Sequence, residues 1–268
     1  MTRSSFRLAT ALVFILALAP AVAAQDDAEL KLAEQDFNLV SLPTALRMPA
    51  GKLAFRVTHR FARPLGQGDF GDLVGDLFGI DAGAQIGLEV RAGLMKSLQV
   101  GFHRTNNKTI MLFTQYGLVR QGQLPIDVSI LASVDGTNNF QDSYSPTLGV
   151  ILSRTISDRA GLYLEPMWVN NSNPLPGQIV DDNDTFIIGI GGRVRIRPTV
   201  YLVGELAPRT GFTPGVNHGS FGIEKRAGGH TFQLNFSNSF ATTRRQLAGG
   251  GLSNEDWYLG FNISRKFF

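Results

Sequence analysis

From Lys52 onward the apolar residues of this chain recur at every second position, and that period constrains the fold more than any other feature. A period of two places successive side chains on opposite faces of a strand, whereas a helix would need a period near 3.6. Residues 52–61 set Leu53, Phe55, Val57 and Phe61 against Ala54, Arg56, Thr58 and Arg60. Residues 125–135 set Ile126, Val128, Ile130, Ala132 and Val134 against Asp127, Ser129, Ser133 and Asp135. The stretches 84–92, 185–196 and 231–238 repeat the pattern, with one apolar face and one polar face each. Slipping any of them by one residue would exchange the two faces, so the pattern specifies register.

Twelve such runs are readable: 52–61, 84–92, 98–104, 109–119, 125–135, 146–155, 160–169, 185–196, 200–207, 219–226, 230–238 and 257–265. The connectors alternate in length. Those at 93–97, 120–124, 156–159, 197–199 and 227–229 are short and built from turn residues such as Gly93, Gly122, Asp158, Pro198 and Gly228–Gly229. Those at 62–83, 136–145, 170–184, 208–218 and 239–256 are longer, and only 105–108 is short on that side. Tight turns at one end and long loops at the other predict a 12-stranded antiparallel up-and-down transmembrane β-barrel, with short periplasmic turns and longer extracellular loops. A β-sandwich has no reason to segregate its connectors this way. Aromatic residues support the same reading. Phe61, Phe102, Trp168, Phe186, Phe221, Phe236 and Trp257 fall at one level on the apolar faces of seven strands, as a membrane-interface belt requires.

Residues 1–24 pair Arg3 and Arg7 with an apolar stretch from Leu8 and small residues after Pro20, the pattern of a cleaved signal peptide. No later apolar run is long enough for a membrane helix. The domain plan is then a signal peptide over 1–24, a periplasmic N-terminal segment over 25–51 and a barrel over 52–268 in the cell outer membrane. The formal net charge is only +3, and the leader removes two of the bases, so nothing electrostatic favours nucleic acid as a partner. There is no cysteine, which excludes disulfides, thiolate metal sites and a cysteine nucleophile.

The polar faces would line the lumen. Arg56, Arg60, Arg91, Arg193, Arg195 and Arg226 point there together with Glu89, Glu165, Glu205, Glu224, Asp127 and Asp135. Of these, Arg56, Arg60, Arg91, Glu89, Glu165, Arg193, Arg195, Glu205 and Glu224 are the candidates for solute binding or selectivity. The balance of signs argues against a single-sign selectivity ring. Two arrangements remain: an arginine ladder on strands one, two and eight facing small anions, or a structural network of arginine–carboxylate pairs that narrows the passage. The connector Gly66–Asp81 repeats its apolar residues at helical spacing, so it predicts a short amphipathic helix folding over the barrel mouth as a lid. Its four aspartates lack the spacing of a calcium loop. HExxH, GxSxG and P-loop motifs are absent, and the four histidines are scattered, so no enzyme, metal or cofactor is expected.

Some positions fit less well. Pro166 predicts a bulge within its strand. His59, Arg104 and Lys225 fall on the lipid-facing side, where snorkelling or a shifted strand boundary would be needed. The chain ends on Phe268, as outer-membrane barrels commonly do for their assembly machinery, but counting back from it by two gives Lys266 and Ser264, the polar face.

The residues His59-Arg60-Phe61, Phe78-Gly79-Ile80-Asp81, Leu88-Glu89-Val90 and Val100-Gly101-Phe102-His103-Arg104 resemble an exported β-barrel family catalogued as a domain of unknown function. The resemblance spans about residues 40–268, although Val90 stands where an aromatic residue is expected. It implies a barrel and supplies no catalytic residues. The sequence thus points to a narrow channel or uptake barrel for small hydrophilic solutes. Its partners would be outer-membrane lipid, the barrel-assembly machinery and such a solute. The alternative is a non-conducting structural, adhesive or docking barrel acting through its loops.

Overall fold

The computed structural model describes residues 32–174, 183–213 and 215–268. The signal-peptide reading of residues 1–24 lies outside them. Twelve long strands follow in order: β1 (Leu53–Pro64), β2 (Ala84–Met95), β3 (Leu98–Thr105), β4 (Ile110–Val119), β5 (Asp127–Thr137) and β6 (Asp142–Ile156), then β7 (Ala160–Val169), β8 (Thr185–Arg197), β9 (Val200–Ala207), β10 (His218–Ala227), β11 (His230–Ser237) and β12 (Tyr258–Phe267). Among the described residues two short α-helices, α1 (Phe70–Gly75) and α2 (Arg244–Gly249), sit in long loops.

Each strand pairs antiparallel with its neighbours in sequence, and β1 pairs with β12, which closes the sheet into a barrel. The closing pair puts Leu53 opposite Phe267 and Val57 opposite Ile263. Beyond Pro208, Arg209–Thr210 resumes the β9 pairing with β8 in the same register. Proline cannot donate to a ladder, so it interrupts the strand, but its carbonyl still accepts the Ile188 N–H at 2.9 Å. The start of β1, the end of β12 and the short turns share one end of the barrel, and the long loops share the other.

The two faces are as the alternation requires. Along β2, Leu88 is exposed while Glu89 and Arg91 are buried. Along β8, Phe186, Ile188 and Ile190 face out while Ile187 and Arg193 face in. The oily surface is therefore the outside of the barrel, the arrangement of a protein solvated by lipid. Aromatic rings gather on it toward the loop end: Phe221 lies 5.3 Å from both Phe236 and Trp257. His59 reaches this face because it stacks on Phe261, with ring centres 4.7 Å apart, beside Phe61. Arg104 reaches the loop end and donates to Asn139 Oδ1 at 2.8 Å.

The structure differs from expectation at Pro166 and at the lid. No bulge forms at Pro166: the β7–β8 register is unbroken, and the β6–β7 register is the same on either side of the skipped pairs between Gly149↔Met167 and Leu152↔Leu164. The missing donor is absorbed by opening the ladder, not by inserting a residue. Phe268 falls on the inward face, as counting back from it by two requires: Phe267 is the lipid-facing aromatic, and Phe268 packs inside against Phe37, Leu46, Met48 and Ala54. The lid, in contrast to expectation, is made by a different loop, as described next.

Candidate functional site

The lumen is occupied by the chain itself. Residues 33–46 and Met48 are buried except Leu32 before them and Arg47 within, which are partly exposed. Residues 33–48, part of the segment 25–51 expected on the periplasmic side, thus form a plug inside the barrel. Its backbone folds back on itself through Asn38↔Pro43 pairing, with Leu39 N–H donating to Leu42 O at 2.8 Å and Thr44 N–H to Phe37 O at 2.9 Å. The tight turn at its tip turns three consecutive N–H groups outward, a concavity suited to an anion.

Glu205 on β9 fills that concavity. Its carboxylate accepts the N–H groups of Val40, Ser41 and Leu42, each at 2.8–3.0 Å. It also accepts Ser220 Oγ at 2.8 Å and stands 3.2 Å from His218 Nε2. The plug carbonyls are met by donors from the wall. Arg56 donates to Val40 O at 2.6 Å, joined by Asn262 at 3.1 Å and Arg60 at 3.4 Å. Arg193 donates to Asn38 O at 2.7 Å, Gln233 to Leu39 O at 3.1 Å, Gln115 to Thr44 O at 2.9 Å and Gln99 to Leu46 O at 3.0 Å. Lys266 donates to Gln35 O. A buried peptide group left without a partner would cost about 1–3 kcal/mol, so these side chains are what allows irregular backbone to sit here.

Ion pairs hold the donors in place. Arg193 meets Glu224 through Nε at 2.6 Å and Nη2 at 3.0 Å, and both side chains are fully buried. Glu224 also accepts from Gln35 of the plug at 2.7 Å and from Gln233 at 2.6 Å. Arg91 pairs with Glu89 at 3.0 Å, and its guanidinium lies over the rings of Phe113 and of Phe37 from the plug. His103 Nδ1 stands 3.5 Å from the other Glu89 oxygen.

An apolar contact completes the seal. Leu39, Val40 and Leu42 pack with inward-facing Leu131, Ile151, Met167, Ile187 and Val203, one residue from each of β5 to β9. Wall glycines make room for the plug. A Cβ at Gly93 would overlap the Pro49 carbonyl, and one at Gly191 would overlap Leu39.

At the loop end, residues 238–250 turn into the mouth. Thr243 caps α2 in a capping box with Gln246, and Arg244, Leu247 and Ala248 are buried. Leu247 and Ala248 join the apolar cluster, while Arg244 donates to Ser41 O at 2.9 Å. Burial pushes the Arg244 guanidinium below its ordinary pKa, and Glu165 and Glu89 oppose that shift. This loop, not Gly66–Asp81, covers the plug.

Eight of the nine candidate lumen residues are buried together: Arg56, Arg60, Glu89, Arg91, Glu165, Arg193, Glu205 and Glu224. Arg195 is not among them. It sits at the turn-end rim and pairs with Asp158 of the β7-side turn. Among the described residues no arginine ladder faces open water: Arg56, Arg60 and Arg193 are buried, and each donates to a plug carbonyl. Sequence reasoning missed the plug, together with Gln99, Gln115, Gln233, Asn262 and Lys266. The available signal was Phe37, Leu39, Val40 and Leu42, an apolar run poorly suited to a free tail, and amide side chains at inward strand positions.

The fold defines a membrane β-barrel of porin-like architecture with a filled interior. The chain belongs to the membrane bound beta barrel domain family DUF5777, whose model matches residues 35–267, so the matched span includes residues 35–48 of the plug. No functionally curated protein matches it. Among solved structures, the NanC porin in a rhombohedral crystal form aligns with a TM-score of 0.56 at 8% identity, over 81% of this chain and 100% of that one, a likeness of fold alone. A mutant of Rh. blastica porin aligns with a TM-score of 0.37 at 9% identity, over 68% of this chain and 55% of that one.

Proposed function

We propose that this protein is an outer-membrane barrel that is closed to solutes at rest and acts as a structural or docking barrel through its exposed ends. One observation carries this reading. The lumen wall presents an apolar patch, Leu131, Ile151, Met167, Ile187 and Val203, matched to Leu39 and Leu42 of the plug. An open channel would wet that patch, and about 25 cal/mol per Å² of apolar surface opposes it. Catalysis forms no part of the reading, since Glu89, Glu205 and Glu224 are engaged by ion pairs and plug N–H groups.

A second reading, solute passage when the plug leaves, is favoured by the polar remainder of the wall, including Ser129, Ser133, Thr147 and Ser153. Planar-bilayer recording tests the closed state. The full-length protein should be electrically silent over a wide voltage range, while a variant lacking residues 33–48 should conduct, which verifies insertion. Stable conductance by the full-length protein would overturn the proposal. The surrounding lipid and the barrel-assembly machinery are the partners this reading calls for.

A further inference from the structure

The Gly66–Asp81 connector leaves a surface that the lumen does not explain. Phe70 is 73% exposed, Leu77 60% and Ile80 56%, with Val74 and Phe78 exposed beside them. None of the residues of α1 is buried. Soluble loops do not concentrate five large apolar side chains in eleven residues facing water.

The placement of the segment says what covers it. Gly79 rests on the outer wall: a Cβ built there would stand 3.0 Å from Cβ of Arg63 and 3.4 Å from Cβ of Phe61. Phe61 belongs to the lipid-facing side of β1, in the aromatic cluster with His59 and Phe261. Arg63 pairs with Asp76 and donates to Asp72 O and Gln67 O, which ties the connector to the outside of the barrel. The charges within the stretch are largely settled locally, since Asp69 and Asp72 form the capping box of α1 and Asp76 is held by Arg63. The apolar side chains therefore continue the lipid-facing belt sideways, away from the mouth.

We propose that residues 70–80 form an interfacial anchor that lies in the membrane leaflet at the loop end, with Phe70, Val74, Leu77, Phe78 and Ile80 inserted at the boundary between headgroups and acyl chains. Such a short amphipathic element gains from apolar burial what its length cannot supply as helix propensity. The anchor rests on the membrane barrel itself and not on whether the lumen conducts.

The chain has no cysteine, so single-site labelling is clean. Leu77→Cys and, as a second position, Val74→Cys carry a nitroxide in phosphatidylcholine nanodiscs, and accessibility to oxygen and to a water-soluble nickel chelate is measured. Leu234→Cys, on the lipid-facing side of β11, sets the lipid value, and Asn254→Cys, in an exposed loop, sets the water value. The expected oxygen-to-nickel ratio at both test sites lies several-fold above that of Asn254→Cys and toward that of Leu234→Cys. A ratio equal to that of Asn254→Cys overturns the anchor. Shielding from both reagents, as a lid packed on protein would give, also overturns it. Unheated gel mobility confirms that each labelled protein is a folded barrel.

Discussion

Both oxygens of Glu205 accept the N–H of Ser41, at 2.8 and 3.0 Å, so one wall carboxylate grips the tip of the plug. The same carboxylate takes the N–H groups on either side, from Val40 and Leu42. A charged acceptor aimed at three converging donors makes shorter and stronger bonds than neutral pairs do. The plug is thereby held at its turn, where its own backbone has no partner to offer.

Replacing Glu205 by alanine removes the acceptor for three buried N–H groups at once. Each orphaned group costs about 1–3 kcal/mol, and part of that is recovered if the tip detaches. Glu205→Ala is expected to lower the urea midpoint of the folded barrel and to expose the Val40–Leu42 region to protease. Glu205→Gln keeps the shape with one acceptor oxygen and should fall between the two.

The Arg193–Glu224 pair gives a second test. Removing one partner strands a fully buried charge, a loss of about 3–5 kcal/mol. Removing both together, as Arg193→Met with Glu224→Met, should cost clearly less than the two single changes summed. Gln35 and Gln233 lose their acceptor in that double variant, so the cost does not vanish. Denaturant unfolding of the four proteins in one micelle system measures the coupling.

Gly191 and Gly93 face the plug at near contact. Gly191→Val is expected to displace Leu39 from the apolar cluster, and Gly93→Ala to push away the Pro49 carbonyl. Overpacking of this kind costs about 1–3 kcal/mol. The barrel itself should survive both, with unheated gel mobility unchanged, while plug protection falls.

Much of this fold is legible from residue order because a barrel solvated by lipid obeys a local rule. Leu88 and Glu89 announce their faces by chemistry alone, and the same holds at Ile223 and Glu224. Strand number and the closing of β1 on β12 follow from counting such runs. The plug obeys no such rule. Phe37 to Met48 has neither period, and its partners Glu205, Arg193 and Lys266 lie far away in sequence. The inward charges were readable as lumen residues, but nothing local reveals that Arg56 and Arg60 point at backbone carbonyls instead of at water. The apolar inward set was also hidden, because Leu131 and Ile151 sit within runs that are apolar on both faces. For the same reason the Gly66–Asp81 connector reads correctly as a helix, while its position on the outer wall depends on Arg63 and Phe61, outside the helix.

The central claim is that residues 33–48 fill the lumen of the membrane-embedded protein, and hydrogen–deuterium exchange of the full-length protein in nanodiscs tests it most directly. Amides bonded within a buried site exchange only through opening. The N–H groups of Leu39, Val40, Ser41, Leu42 and Thr44 are predicted to be protected on the timescale of the strand ladders, and Glu205→Ala to release the tip first. Exchange of these amides as fast as in an unfolded peptide would contradict the plug and the closed barrel built on it.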